Sequence, residues 1–224
     1  MIGLSALLSE QSLHLKVAGQ RLELLPQRAL YWPGRETLFI ADPHFGKAAA
    51  FRAGGIPVPG GTTGENLARL DAALATTGAT RLVCLGDLLH TRAGRVDQTL
   101  AEVAAWRAGY PDLEWFLVRG NHDRHAGDPP ASWRIVCIDE PFADAPFVWR
   151  HLPEPDPDGY TLAGHRHPAV CVGSGPLAET VSCFYFGEKV GILPAFGEFT
   201  GNALIHPEPG DRVFVLAGAE VIAI

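Results

Sequence analysis

Asp42-Pro43-His44, Gly86-Asp87, Gly120-Asn121-His122-Asp123, His151 and Gly164-His165-Arg166-His167 each stand at the end of an apolar run. Together they offer carboxylate, imidazole and amide oxygen. No thiolate joins them: Cys84, Cys137, Cys171 and Cys183 fall singly, with no Cys-x-x-Cys pair. Oxygen and nitrogen ligands without sulfur suit Mn²⁺, Fe, Zn²⁺ or Mg²⁺ at a hydrolytic site rather than a structural zinc. Spacing sharpens the reading. Strand alternation is expected to point Asp42 and His44 to one side, where one cation takes both. Gly86 lets the chain turn sharply as its strand ends, and Asp87 can bridge two cations with its two oxygens. His165 and His167 repeat the i, i+2 spacing, with rings available to two different metals. Any one of these clusters alone would be incidental.

The clusters need a scaffold that brings them to one rim. Leu13–Val17 and Arg21–Leu25 read as a hairpin around Gly19-Gln20. Thr37–Ile40, Arg81–Leu85 and Glu114–Val118 read as short buried strands running into the first three clusters. Between them, Glu65–Thr76 presents Leu67, Leu70 and Leu74 on one helical face, with Thr62 or Thr63 as its cap, and Val96–Ala108 is a second amphipathic helix. After residue 130 the pattern changes. Ile135–Ile138, Phe147–Trp149, Tyr160–Leu162, Ala169–Val172, Val181–Phe186, Lys189–Pro194 and Arg212–Leu216 are strand-like, with little helix between them. A β-α-β-α-β half followed by a strand-rich half predicts two packed sheets, one fed by crossover helices, within a single domain spanning residues 1–224. In such sheets ligands collect outside the carboxyl ends of the strands.

The order Asp-x-His, Gly-Asp, Gly-Asn-His-Asp, His, Gly-His-x-His resembles the calcineurin-like metallophosphoesterase superfamily, from Asp42 to His167. Ala41–Lys47, Leu162–Pro168 and Leu193–Gly201 are further similar to the bacterial ligase-associated DNA damage response endonucleases, the PdeM-type phosphodiesterases. The resemblance implies an α/β fold, a four-layer αββα sandwich of two mixed β-sheets flanked by helices. It also implies a binuclear, metal-dependent phosphodiesterase. Asp42, His44, Asp87 and His167 would hold the first metal, and Asp87, Asn121, His151 and His165 the second. His122 would face the scissile phosphate as general acid or charge stabiliser, oriented by Asp123. Mn²⁺ is the expected metal, with Fe, Zn²⁺ and Mg²⁺ as alternatives. The expected substrate is a phosphodiester, with DNA as a candidate. A functional association with a DNA ligase, a helicase and an exonuclease is implied as well.

Of the histidines competing for the single-residue position, His125 lies two residues beyond Asp123 and His206 follows the last cluster, out of order; His151 is expected there. Lys47, His90 and Arg92 are candidates for contact with substrate phosphate. Trp149 and Phe184-Tyr185-Phe186 read as core rather than as a base-stacking platform, and Phe196–Gly201 as packing or a loop near the site.

Composition bounds the rest. The 224 residues are 47% hydrophobic and 19% charged, which excludes intrinsic disorder. No run approaches 18 apolar residues, so no membrane span is expected. The opening MIGLSALLSEQS lacks a basic n-region and an apolar core, arguing against a secretory signal, and single cysteines fit a reducing cytoplasm. A formal charge of −7 argues against a general nucleic-acid glove, although bound divalent cations invert a local field. Two other functions stay open: a small-molecule phosphodiesterase or phosphomonoesterase on the same site, and a non-catalytic scaffold. Scaffolds of the second kind usually lose the catalytic histidine or a ligand; every position here is filled, which argues against it.

Overall fold

The computed structural model describes residues 11–175 and 178–224. Most of the opening stretch read for a signal therefore lies outside the described residues. A first sheet of seven strands runs in chain order: β1 Leu13–Val17, β2 Gln20–Leu25, β3 Ala29–Trp32, β4 Thr37–Ile40, β5 Arg81–Cys84, β6 Glu114–Val118 and β7 Ile135–Ile138. The β1–β2 hairpin turns on Ala18 and Gly19, both at positive φ, the twist a two-residue hairpin loop needs. From β1 to β4 the strands are antiparallel; from β4 to β7 they are parallel. The parallel strands require crossovers, supplied by α1 Lys47–Ala53, α2 Thr62–Thr77, α3 Asp97–Ala108 and α4 Asn121–Ala126.

Strand alternation sorts the two faces of this sheet. Leu38, Ile40, Leu82, Cys84, Trp115 and Leu117 pack with Leu67, Leu70 and Leu74 of α2 and Val103 of α3. Phe39, Ala41, Val83, Leu85 and Val118 face the second sheet. Both faces are buried, so the strands read as continuous apolar runs. The α2 face is the predicted one, but Thr62 and Thr63 lie inside the first turn; Gly61, at φ +90°, stands at the N-cap without a side-chain bond. Leu70 is fully buried between helix and sheet. Leu70→Ala is expected to lower stability by about 2–5 kcal/mol, read as a lower denaturant midpoint at unchanged m.

The second sheet holds β8 Phe142–Asp144, β9 Phe147–Trp149, β10 Tyr160–Ala163, β11 Pro168–Val172, β12 Glu179–Phe186, β13 Val190–Ile192, β14 Ala203–Leu204, β15 Arg212–Ala217 and β16 Glu220–Ala223. It is mixed: β9, β10 and β13 are parallel neighbours, whereas β12 pairs antiparallel with β11, β13 and β15. Its inner face sends Phe147, Trp149, Leu162, Phe184, Phe186 and Phe214 against the first sheet. Trp149, Phe184 and Phe186 are thus core, as expected. The two mixed sheets and the helical layer on the first sheet match the first three layers of the predicted αββα order. Among the described residues every α-helix lies between Lys47 and Ala126. Where a second helical layer was expected, the outer face of the second sheet carries a small cluster of Val170, Cys183, Val213 and Val215. The segment joining the parallel pair β9 and β10, 150–159, carries Pro153, Pro155 and Pro157, which cannot continue a helix. No described helix is long and apolar enough to cross a membrane.

Candidate metal centre

β4, β5 and β6 are parallel, and so are β9 and β10. Each of these five strands ends at one polar cluster, so the clusters meet at the carboxyl rim shared by the two sheets. Beyond the strands the chains stay paired: Asp42 N–H donates to the Gly86 carbonyl at 3.1 Å and His44 N–H to the Asp87 carbonyl at 3.0 Å. Ala41 bridges in parallel to Ala195, which ties the rim of the first sheet to the segment after β13.

The backbone there differs from the alternation expected for Asp42 and His44. Asp42 (φ +53°), His44 (+47°), Asp87 (+54°), His165 (+68°) and His167 (+46°) all occupy the left-handed region. Each costs on the order of 1–3 kcal/mol and persists because its surroundings enforce it. The coiled turns, not an extended strand, aim these side chains. Gly86, at φ +94°, makes one approach feasible: a Cβ there would collide with the His151 ring.

Asp42, Asp87 and His151 are 0%, 3% and 1% exposed. Ligand atoms of Asp42, His44 and His167 lie within 4.8 Å of one another, and so do those of Asp87, His151 and His165. Asp87 joins the two groups. Its Oδ1 is 3.5 Å from His151 Nε2, and its Oδ2 is 3.9 Å from His44 Nε2. Asn121 Oδ1 lies 2.9 Å from His151 Nε2, inside the second group. All seven predicted ligands are therefore brought together. His125 is exposed, with Nδ1 on the Asn121 carbonyl, and His206 is exposed beyond β14, so His151 takes the position expected of it.

Three features fit this pocket to cations. Asp42 Oδ1 is buried without a hydrogen-bond partner, 3.6 Å from His167 Nε2 and 3.9 Å from His151 Nδ1. A buried carboxylate oxygen left so is costly unless a cation meets it. Second, carbonyl oxygens only accept. His151 Nδ1–H must donate to Leu85 O (3.0 Å) and His167 Nδ1–H to Gly201 O (2.9 Å), which leaves both Nε2 lone pairs facing the pocket. Third, His165 Nδ1 stands 3.0 Å from His151 Nε2, within reach of a common cation. The protonation balance agrees for two of the rings, His44 and His165. Burial drives His44 far below the usual imidazole range, and burial with the nearby His151 lowers His165. Burial also pulls His167 down, but Asp42 outweighs it and raises the ring overall. Asp87 is raised by burial, although His151 opposes this.

His122 sits beside this cluster with its side chain 34% exposed. Its Nδ1–H donates to the His90 carbonyl at 2.7 Å, and its Nε2 is 4.0 Å from Asp87 Oδ2. Asp123 does not orient it, contrary to expectation. Both Asp123 oxygens accept backbone N–H groups, from Leu89 at 3.1 Å and Gly120 at 3.0 Å, so this buried carboxylate braces two loops. Burial lifts its pKa to about 6 against those two bonds.

His90 is closer to the centre than a phosphate contact requires. Its Nδ1 is 3.4 Å from His44 Nδ1, its ring stacks on His122, and burial with Lys47 and His122 lowers it to about 4. His44, His90 and His122 thus form a third group of converging nitrogens. Lys47 opens α1 with Nζ 5.8 Å from the Phe51 ring centroid; burial lowers its pKa while Asp42 and Asp87 raise it. Arg92 is not brought in: its Nε donates to the His125 carbonyl at 3.1 Å, in the last turn of α4. Sequence reasoning missed Glu140, whose Oε2 accepts the N–H groups of His151 (2.9 Å) and Leu152 (3.0 Å) and so fixes the turn carrying His151.

Comparison with known proteins agrees with this geometry. The calcineurin-like phosphoesterase family model matches residues 36–187. The crystal structure of Pseudomonas putida nuclease MPE superimposes with a TM-score of 0.86 at 41% identity, over 96% of this chain and all of that one. Yfce, a phosphoesterase from E. coli, aligns over 81% of this chain and 88% of its own at 16% identity, with a TM-score of only 0.37. Among curated proteins no sequence matches. The matched span begins one residue before β4 and ends just after β12, enclosing every cluster of the rim. The chain belongs to the calcineurin-like phosphoesterase family and is a metal-dependent phosphoester hydrolase.

Proposed function

We propose that this chain hydrolyses phosphodiester bonds in DNA with two Mn²⁺ ions, in the service of DNA repair. The observation that carries the reading is Asp87, whose two oxygens face the two ligand groups separately. Asp42, His44, Asp87 and His167 would hold one cation, and Asp87, Asn121, His151 and His165 the other. Bound there, divalent cations supply Lewis acidity toward the phosphoryl oxygens and lower the pKa of water. The chain's own residues do the remaining work. Asp42, Asp87 and the buried imidazoles fix the spacing. His122, its Nδ1–H held by the His90 carbonyl, presents Nε2 to substrate; as the imidazolium it gives the Nε2 proton to the leaving oxygen and is left neutral, its remaining proton on Nδ1. The 41% identity to a protein described as a nuclease supports a nucleic-acid substrate.

Nitrogen-rich groups favour Mn²⁺ over Mg²⁺, which prefers oxygen and keeps its waters. Four unpaired cysteines support a reducing cytoplasm. Work alongside a DNA ligase, a helicase and an exonuclease rests on the family resemblance. The inter-sheet core supports reading residues 1–224 as one domain.

Exhaustive chelation is expected to lower the rate by at least roughly 10³-fold, with Mn²⁺ restoring it better than Mg²⁺. Full activity without metal return contradicts the two-metal site. With Mn²⁺, a panel of nitrophenyl phosphate, bis-nitrophenyl phosphate, single-stranded DNA and duplex DNA tests the substrate. Diester and DNA cleavage above monoester cleavage is expected. A preference for the monoester with DNA untouched establishes the small-molecule alternative, which the net charge of −7 favours.

A further inference from the structure

The Phe196–Gly201 segment carries no side chain that the chemistry above uses, yet it is braced on every side. Phe196 N–H donates to Ala41 O at 2.7 Å and Gly197 N–H to Asp42 O at 3.2 Å. Arg69 bonds the Phe196 carbonyl at 2.5 Å and the Glu198 carboxylate, and Arg28 pairs with the same carboxylate at 3.5 Å. Thr200 Oγ1 donates to Gly197 O at 3.2 Å, and the Gly201 carbonyl holds His167 at 2.9 Å. The segment is thus pinned to one candidate ligand at each end.

Phe199 lies at its middle, two residues from each pin. It is 51% exposed, makes no ring contact among the described residues, and sits at φ +54°. For a bulky residue that backbone is an outlier, one that Gly or Asn adopts more cheaply. Half of the residue stays exposed, and its ring stacks on no other ring among the described residues. Beyond Gly201, Ala203 lines an open groove of about 310 Å³ with His165, Arg166, Leu152, Pro153 and Glu154. There is room there for chain flanking the centre, and Arg166 forms no ion pair among the described residues. An exposed, rigidly mounted aromatic ring beside a phosphate-cleaving centre is what an unstacked nucleobase binds.

We propose that Phe199 is a stacking platform that seats a nucleobase next to the scissile phosphate and so favours nucleic acid over small phosphodiesters. This rests on the nuclease reading of the same site. The test compares wild type, Phe199→Gly and Phe199→Trp with Mn²⁺ on oligothymidylate and on bis-nitrophenyl phosphate, alongside thermal unfolding.

Phe199→Gly is expected to raise KM for the oligonucleotide roughly 5–150-fold, the range of one lost stack, with little change in kcat. The ratio of kcat/KM on oligothymidylate to that on bis-nitrophenyl phosphate falls accordingly. The unfolding temperature stays level or rises, because the strain is relieved, and Phe199→Trp restores KM. An unchanged ratio in Phe199→Gly overturns the proposal, and so does a parallel loss on both substrates, which marks a structural role. Wild type that cleaves the diester but no oligonucleotide overturns the nuclease reading itself, and the platform with it.

Discussion

Asp87→Asn is expected to lose metal and rate together while keeping its fold. The carboxylate is 3% exposed and its two oxygens face different ligand groups. Asparagine keeps the shape and one oxygen but removes the charge that holds two cations close. Removing one partner of a buried charged set costs about 3–5 kcal/mol, so affinity for the metal pair falls by roughly two to four orders of magnitude. The metal-free protein responds differently. Burial already raises the Asp87 pKa, so the ionised form is a burden without a cation, and the neutral amide does not lower the unfolding temperature. Wild type gains stability from added Mn²⁺ through preferential binding to the folded state, and Asp87→Asn loses most of that gain. Metal analysis and unfolding with and without Mn²⁺ check both parts. Retention of both metals at wild-type affinity contradicts the bridging role.

His122→Ala is expected to fail in another way, keeping both metals while slowing by roughly 10²–10⁴, the usual contribution of a positioned general acid. The loss shrinks with a nitrophenolate leaving group, which departs without a proton, and is full with an alkoxide. The ring's position supports the division: the side chain is 34% exposed with Nε2 4.0 Å from Asp87 Oδ2, while Nδ1 is fixed by the His90 carbonyl. The competing outcome is also built into the structure, because His44, His90 and His122 could themselves hold an ion. If His122→Ala sheds metal as completely as Asp87→Asn, that group is a real metal site and His122 a ligand. An unchanged rate on all leaving groups removes His122 from the mechanism.

The site was more legible in the sequence than the geometry that builds it. Each cluster follows an apolar run and several carry a glycine, so strand ends and candidate ligands could be read together. Their order singled out His151 over His125 and His206. The turns could not be read in the same way. Asp42 and His44 share an orientation through left-handed backbone, and the i, i+2 spacing alone suggests strand alternation instead. The Asp123 carboxylate was assigned to its neighbour His122, yet its partners are the N–H groups of Leu89 and Gly120, and any residue supplies an N–H. The same holds for the carbonyls of Leu85, His90 and Gly201 that set three imidazoles. β3 is hard to read because its four residues, ALYW, end at Pro33-Gly34 with no polar cluster to mark them, whereas the equally buried β4 runs into Asp42. α1 was missed because its seven residues, KAAAFRA, run straight into a Gly/Pro-rich loop.

The central claim is that two cations share Asp87. Crystals grown with Mn²⁺ and measured at the manganese edge test it directly. Two anomalous peaks are expected, one among Asp42, His44, Asp87 and His167, the other among Asp87, Asn121, His151 and His165, with Asp87 touching both and His122 neither. A single peak, or a peak seated on His44, His90 and His122, contradicts the account.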